Sequence, residues 1–195
     1  MRFVRVMDGL KSNAGGFEYK IDEINSTDNW NPTADNPKEM GGFNFCQEDK
    51  LLRWLHRGDT LYDVIIPEGA EVIEIDHNNC PNGLFRSNKI VVTNPRKVTE
   101  DMVLDLYRKS NLPEKTYYQC FVTLLFRGYK NVVKYMLSDY VTCKNVDRAI
   151  QEFQRYISED DTGDVKRFEY DSLWDDAKEI YDTLVSIKKN CRKEK

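Results

Sequence analysis

In the first part of the chain, apolar and polar positions alternate with the two-residue period of half-buried strands. In "RFVRVM", Val4 and Val6 alternate with two arginines. Two β-branched runs, "TLYDVII" and "EVIEID", are joined by "PEGA", which favours a hairpin. A further run, "SNKIVVTNP", predicts a strand that ends at Pro95, because proline cannot donate a ladder hydrogen bond.

Two segments interrupt this pattern. Residues 25–42 are rich in Asn, Asp, Pro and Gly and are predicted to form a loop, which Trp30 pins to the body. The next segment, "FNFCQEDKLLRWLHRGD", places three leucines on one face of a helix that Gly58 would end in a left-handed conformation.

From Thr99 onward the apolar positions follow a helical period. Thr99 is placed to cap "EDMVLDLYRKS", and the next two helices meet at Gly128. "DRAIQEFQRYI" predicts another helix, followed by a polar loop over residues 158–167. The last helix begins at "SLWD", where Ser172 and Asp175 have capping-box spacing, and carries an apolar stripe from Leu173 to Cys191.

These elements predict an α+β protein with a small mixed β-sheet and packed helices, followed by a helical C-terminal half. We divide it into an α/β region, residues 1–98, and a helical region, residues 99–195, packed as one compact body.

The composition narrows the classes of function. The chain is 40% apolar and 12% aromatic, which indicates a folded core. Its 33 acidic and 29 basic residues give a net charge of −4, which disfavours a general nucleic-acid binder. No apolar run approaches the roughly 18 residues of a membrane span, and no secretory signal is recognisable, so we expect a soluble, intracellular protein.

Five cysteines are scattered along the chain without any CxxC pair, and we expect free, mostly buried thiols. Four residues have zinc-compatible side chains: Cys46, His56, His77 and Cys80. His77 and Cys80 have a two-residue gap that can form a zinc knuckle, but the nine-residue gap between Cys46 and His56 is not a familiar one. Core cysteines and surface histidines are the competing interpretation. No residue pattern links a histidine to a cysteine as in a Cys–His hydrolase, and the sequence predicts no metal or cofactor.

The segment "LLFRGYKNVVKYML" resembles the ankyrin-repeat element in which one helix ends at glycine and the next carries a Val-Val-Lys-Tyr-Leu-Leu run. Gly128 matches the glycine, whereas Tyr129 stands where that family has histidine, and the TPLH signature is missing. The resemblance implies a single degenerate ankyrin-like hairpin within the helical half.

A second resemblance covers roughly residues 41–140. The order of "GGFNFC", "LYDVIIPEGAEVIEID" and "FRSNKIVVTNPR" is similar to the region that precedes ankyrin-like repeats in proteins of giant DNA viruses. This resemblance implies a viral origin, with action in the host cytoplasm, the host nucleus or the virion, and it assigns no biochemical role.

Charged residues on the strands suggest two further possibilities. Arg5 on an early strand could hold a phosphate and Glu74 on a later one could act as acid or base, an arrangement that resembles ADP-ribosyltransferases, although the serine-containing strand motif of that family is not recognisable. Four basic residues near Phe85 could instead contact nucleic acid: Arg86, Lys89, Arg96 and Lys97. In both cases the competing interpretation is the solvated face of a sheet.

We therefore expect a non-enzymatic viral protein that acts as a protein-protein interaction module, with an unidentified protein partner and an undetermined oligomeric state. The alternatives are an ADP-ribosyltransferase-like enzyme acting on NAD and a nucleic-acid-binding accessory protein. Aromatic and apolar residues of the repeat-like hairpin are the predicted partner contacts. They are Tyr117, Tyr118, Phe121, Leu125 and Tyr129.

Overall fold

The computed structural model describes residues 2–11, 16–36, 39–78, 80–158 and 171–193. It divides into two compact units, Met1–Pro113 and Glu114–Lys195. The strands are β1 (Phe3–Met7), β2 (Ile24–Ser26), β3 (Phe43–Gln47), β4 (Thr60–Ile65), β5 (Val72–Glu74), β6 (Leu84–Ser87) and β7 (Lys89–Lys97). The helices are a 3-10 helix (Glu48–Arg57), α1 (Glu100–Lys109), α2 (Glu114–Leu125), α3 (Lys130–Tyr140), α4 (Val146–Ser158) and α5 (Asp171–Lys193).

The first unit is built on a seven-stranded sheet with the order β2-β7-β4-β1-β3-β6-β5. The α+β class is confirmed. The sheet is not mixed, however, because all pairings between its named strands are antiparallel. The predicted hairpin of β4 and β5 is wrong, since β4 pairs with β1 and β7 while β5 pairs with β6.

The sheet curls strongly at Asn88. Only this residue joins β6 to β7, although β3, β1 and β4 separate those strands in the sheet. A flat sheet would hold them about 19 Å apart, far beyond the roughly 7 Å that two residue steps can span. The Asn88 backbone also bonds to Thr27 after β2 and to Glu71 before β5, so both edges of the sheet approach the same residue.

One face of this sheet, which we call the aromatic face, carries an apolar cluster. Its buried members are Met7, Tyr19, Phe43, Phe45, Tyr62, Val64, Ile90 and Val92. On the opposite face, which we call the helix face, the 3-10 helix contacts β1 and β3. The leucines predicted to share one side of that helix, Leu51, Leu52 and Leu55, are all buried.

Two local predictions around the 3-10 helix are wrong. Residues 43–47 form strand β3 instead of a helical turn, because Phe43 and Phe45 are buried while Asn44 between them is exposed. Gly58 has an extended φ of 179°, not a left-handed one. The reason for glycine here is a close backbone approach, since a Cβ atom would lie 2.1 Å from the Met7 carbonyl carbon.

Strand β7 continues through Pro95, where the prediction ended it. Its register with β4 shifts by one residue between Leu61 and Asp63, and Asn94 has a φ of 51°. A bulge accommodates proline because the ladder hydrogen bond that proline lacks is already interrupted there. The predicted loop is confirmed over residues 27–36 and 39–42, and residues 37–38 lie outside the described residues. Trp30 is tied down by donating its indole N–H to Glu71 Oε2 at 2.8 Å.

Helix α1 belongs to the first unit and contacts the 3-10 helix. Thr99 caps it as predicted, accepting the Met102 N–H at 3.3 Å. The predicted boundary between the α/β region and the helical region at residue 98 stays a prediction. By its contacts, α1 belongs to the same unit as the sheet.

The second unit contains α2 to α5, and α2 contacts the other three helices. Gly128 has the predicted left-handed conformation, with φ 78°. Ala177, Ile180 and Leu184 of the α5 stripe are buried. The predicted loop from residue 159 onward and the side chain of Ser172 lie outside the described residues. Among the helices that the structure describes, none is long and apolar enough to cross a membrane.

The prediction of five free thiols is wrong for two of them. Cys143, in the connection between α3 and α4, forms a disulfide with Cys191 in the last turn of α5. Cys46, Cys80 and Cys120 form no disulfide and are buried. The bonded pair is 48 residues apart in sequence, and no local motif marks it.

Candidate functional site

Arg5 lies on the aromatic face of β1, half-buried, with its guanidinium carbon 4.8 Å from the centre of the Tyr19 ring. One terminal nitrogen donates to the Asn44 carbonyl oxygen at 2.5 Å. Its Nε–H is buried and has no acceptor. Burial lowers the pKa of the guanidinium, since desolvation disfavours the charged form.

Glu74, the predicted catalytic partner of Arg5, lies on strand β5, and β3 and β6 lie between β1 and β5. Measured along the sheet, three strand spacings, about 14 Å in all, lie between the two strands. The Glu74 carboxylate accepts the Gly83 backbone N–H at 2.6 Å. This separation gives the ADP-ribosyl-transfer alternative no support.

The four zinc candidates do not assemble into a ligand set. Across the described residues, no group of three or more His, Cys, Asp or Glu side chains is placed to hold a metal ion. The Trp54 ring instead lies 5.3 Å from the His77 ring and 6.3 Å from the His56 ring. Burial raises the pKa of both the Cys46 and the Cys80 thiols, the opposite of what an activated nucleophile needs.

The basic residues near Phe85 do not form one positive surface. Arg96 forms an ion pair with Asp63 at 2.6 Å, and Lys97 forms one with Asp59. Arg86 donates to Asn44 Oδ1 at 2.6 Å, and alternation along β6 places it on the face opposite Phe85. Lys89 Nζ is 3.5 Å from the Gly69 carbonyl oxygen. These contacts give little support to nucleic-acid binding.

Three of the five predicted partner contacts are buried in the core of the second unit. Tyr118, Phe121 and Leu125 are 0% exposed, so neighbouring elements cover these three side chains and they do not form an exposed patch. Tyr118 donates its hydroxyl to Glu114 at 2.5 Å. The other two, Tyr117 and Tyr129, are half-buried, and the centre of the Tyr117 ring lies 4.7 Å from that of Tyr140, with the ring planes tilted by 39°. Helix α2 is the central helix of its unit, which an amphipathic pattern cannot reveal.

An exposed apolar surface lies instead on the sheet of the first unit. Val91 pairs with Ile24 on one side and with Ile65 on the other, so the three side chains form one row across β2, β7 and β4. Ile24 is 58% exposed and Ile65 is 54% exposed. We call these three residues the apolar row. Sequence reasoning missed it, because the exposure of a strand residue depends on which strand or helix covers it.

A charged network borders the apolar row on the same face. Asp63 lies two residues before Ile65 on β4 and accepts hydrogen bonds from Arg2 at 2.9 Å and from Arg96 at 2.6 Å. Asn94 donates to its second oxygen at 2.9 Å. Burial acts to raise the pKa of Asp63, but these hydrogen bonds outweigh it, and the pKa lies below its ordinary value. The acid therefore stays ionised at neutral pH. Arg2 also pairs with Glu48 at 3.0 Å, so two acids and two arginines balance beside the row.

Comparison of the chain with protein-family models, with curated proteins and with solved structures found no match.

Proposed function

We propose that this chain is a non-enzymatic protein-protein interaction module, and that the apolar row Ile24–Val91–Ile65 is where its partner binds. The observation that carries the proposal is the exposure of two isoleucines, 58% and 54%, in one cross-strand row. The resemblance to giant-virus proteins, with its degenerate ankyrin-like hairpin and its action inside the host cell or in the virion, belongs to the same proposal.

The row differs from isolated apolar residues on a protein surface. A single exposed isoleucine is ordinary, but aligned neighbours present a continuous apolar strip whose burial releases water. Direct cross-strand partners lie about 4.5–5.5 Å apart, so one apolar side chain of a partner can contact two members of the row at once. This geometry fits a protein surface with an apolar centre.

The charged residues beside the apolar row are also consistent with a protein-protein interface. An interface has an apolar core and a polar rim, and charges at a rim set orientation more than affinity. Asp63 and its two arginines supply such a rim close to Ile65. Because Asp63 and the two arginines already form ion pairs within this chain, the binding partner does not have to supply a charged group at this rim.

The test uses Ile24→Thr and Ile65→Thr together, since threonine keeps the β-branched shape that strands favour. Val72→Thr is the matched control, because Val72 is 40% exposed on strand β5 and its pairing through Ser87 to Phe43 places it on the aromatic face, outside the apolar row. Both variants should keep the stability of the wild type to within about 0.5 kcal/mol, as expected for exposed positions. Tagged proteins would be used to capture partners from infected-cell extract, followed by titration of the purified partner.

We expect the double variant to lose affinity for the captured partner. A loss of about 1 kcal/mol for each truncated contact corresponds to roughly 30-fold in Kd for the pair. The Val72→Thr control should bind like the wild type. Equal affinity of the double variant and the wild type would place the binding site elsewhere, and a wild-type chain that captures no partner would contradict the function itself.

A further inference from the structure

No carboxylate among the described residues balances the positive charge of Arg5. The groups that act electrostatically on it are Tyr19 and Cys46, and no Asp or Glu among the described residues forms an ion pair with it. Cys46 does not supply a thiolate, since burial raises the pKa of that thiol well above its usual range. Buried charges in proteins are normally paired, so an unpaired arginine calls for an explanation.

The donors of Arg5 are only partly used. One terminal nitrogen donates to the Asn44 carbonyl, while the buried Nε–H has no acceptor. A guanidinium presents its N–H groups as a planar fork that fits two oxygens of a carboxylate or a phosphate. The remaining N–H groups of the terminal nitrogens can donate to a bound oxyanion, which would supply the missing negative charge.

The surroundings of Arg5 suit an anion that carries a flat apolar body. Tyr19 lies under the guanidinium, and the Phe17 ring lies 5.0 Å from the Tyr19 ring. Phe3, two residues before Arg5 on the same face, lies 5.2 Å from the Phe85 ring. Phe3, Phe17 and Phe85 are only partly buried. A few polar groups among aromatic side chains are typical of small-molecule sites.

We propose that Arg5, with Phe3 and Phe17, forms a binding site for a small molecule that joins an oxyanion to an aromatic or heterocyclic ring. The guanidinium binds the carboxylate or phosphate group, and the phenylalanine rings contact the flat body. This site is independent of the proposed function, because it lies on the aromatic face while the apolar row lies on the helix face.

The competing explanation is purely structural. Arg5 could serve only to fasten Tyr19 and the Asn44 carbonyl to the sheet. The two explanations differ in what Arg5→Met should do. Methionine keeps much of the apolar stem and removes the unbalanced charge, so a ligand-binding arginine can be replaced without loss of stability, whereas a structural one cannot.

The experiment measures ligand-dependent melting temperatures and equilibrium binding of the full chain with four probes. Phenyl phosphate and benzoate each join a ring to an oxyanion, inorganic phosphate lacks the ring, and benzamide lacks the charge. The protein variants are Arg5→Met, Arg5→Lys and the control Arg86→Met. Arg86 is the matched control because burial lowers its pKa too, while its side chain lies on the opposite face.

We expect phenyl phosphate or benzoate to raise the melting temperature of the wild type, with inorganic phosphate weaker and benzamide inactive. Whichever of the two ring anions binds more tightly identifies the oxyanion. Arg5→Met should bind at least tenfold more weakly while melting no lower than the wild type, and Arg86→Met should bind normally if folded. Arg5→Lys, which keeps the charge and loses the fork, should bind with intermediate affinity and covers the case in which Arg5→Met does not fold.

Three results would overturn the proposal. They are a wild type that none of the anions stabilises, an Arg5→Met variant with unchanged affinity, and benzamide binding as tightly as benzoate.

Discussion

Adding a side chain at Gly128 tests the backbone conformation at the end of α2 with little interference from packing. The Tyr129 N–H donates to the Leu124 carbonyl at 3.1 Å, and the Gly128 N–H donates to the Leu125 carbonyl at 2.9 Å. This pair of bonds is the Schellman arrangement, which requires a left-handed residue. A Cβ atom at Gly128 would have nothing within 4 Å, so no clash with a neighbouring group adds to the cost.

The magnitude follows from the φ of 78°. A left-handed conformation costs an L-residue about 1–2 kcal/mol, and a β-branched residue lies at the upper end. We expect Gly128→Ala to lower the free energy of unfolding by about 1 kcal/mol and Gly128→Val by about 2 kcal/mol. In a chain of this size, that corresponds to a melting temperature lower by about 4–8 °C for the valine variant.

The assay is thermal and urea unfolding followed by circular dichroism at 222 nm, with Gly128→Asn as the control. Asparagine adopts the left-handed conformation more readily than alanine, so its variant should lose less stability than Gly128→Ala. A valine variant as stable as the wild type would refute the left-handed cap. An asparagine variant as unstable as the valine variant would show that side-chain contacts, not the backbone, decide the cost.

Three further predictions concern the rest of the chain. Gly58→Ala should destabilise the sheet unit by more than about 2 kcal/mol in urea unfolding, because its Cβ would lie 2.1 Å from the Met7 carbonyl carbon; wild-type stability would contradict the close approach. The double variant Cys143→Ser, Cys191→Ser should lower the free energy of unfolding by about 2–4 kcal/mol, since the disulfide closes a long loop. In a reducing agent that breaks the disulfide, the wild type should melt at the same temperature as this variant. An unchanged melting temperature of the wild type in that agent would argue against the disulfide. Because the folded pKa of Asp63 is depressed, its contribution is present above the unfolded pKa and is lost as the pH falls through the folded pKa. Asp63→Asn should therefore cost about 1 kcal/mol at pH 7 and progressively less as the pH is lowered through the acid range, and a cost that does not change with pH would refute the ion-pair origin.

Sequence periodicity predicts the elements whose signal is local. Strand β1 and the helices after Thr99 follow from the spacing of apolar residues, and the structure has them where the pattern indicates. The cap at Thr99 and the left-handed Gly128 were also predictable, because each depends on a residue type within one helical turn of its partner.

Long-range contacts decided the features that the sequence misassigned. "TLYDVII" and "EVIEID" read as a hairpin, yet β4 pairs with β1 and β7, since the whole sheet determines which strands become neighbours. Gly58 suggested a helix cap, while its actual role is set by the Met7 backbone about fifty residues earlier in the chain. The disulfide likewise joins two cysteines that share no motif.

In the candidate sites, too, some features follow from the local sequence and others depend on tertiary contacts. The sequence by itself determined that Arg5 lies on a strand and that Tyr118 and Phe121 lie on an apolar helix. Only the tertiary structure decided that Arg5 is half-buried without a carboxylate partner among the described residues. It also decided which apolar side chains are covered: Tyr118 and Phe121 are fully buried, whereas Ile24 and Ile65 are exposed. The physical reason is that hydrophobic periodicity fixes which face of an element is apolar, whereas the exposure of that face depends on neighbours distant in sequence.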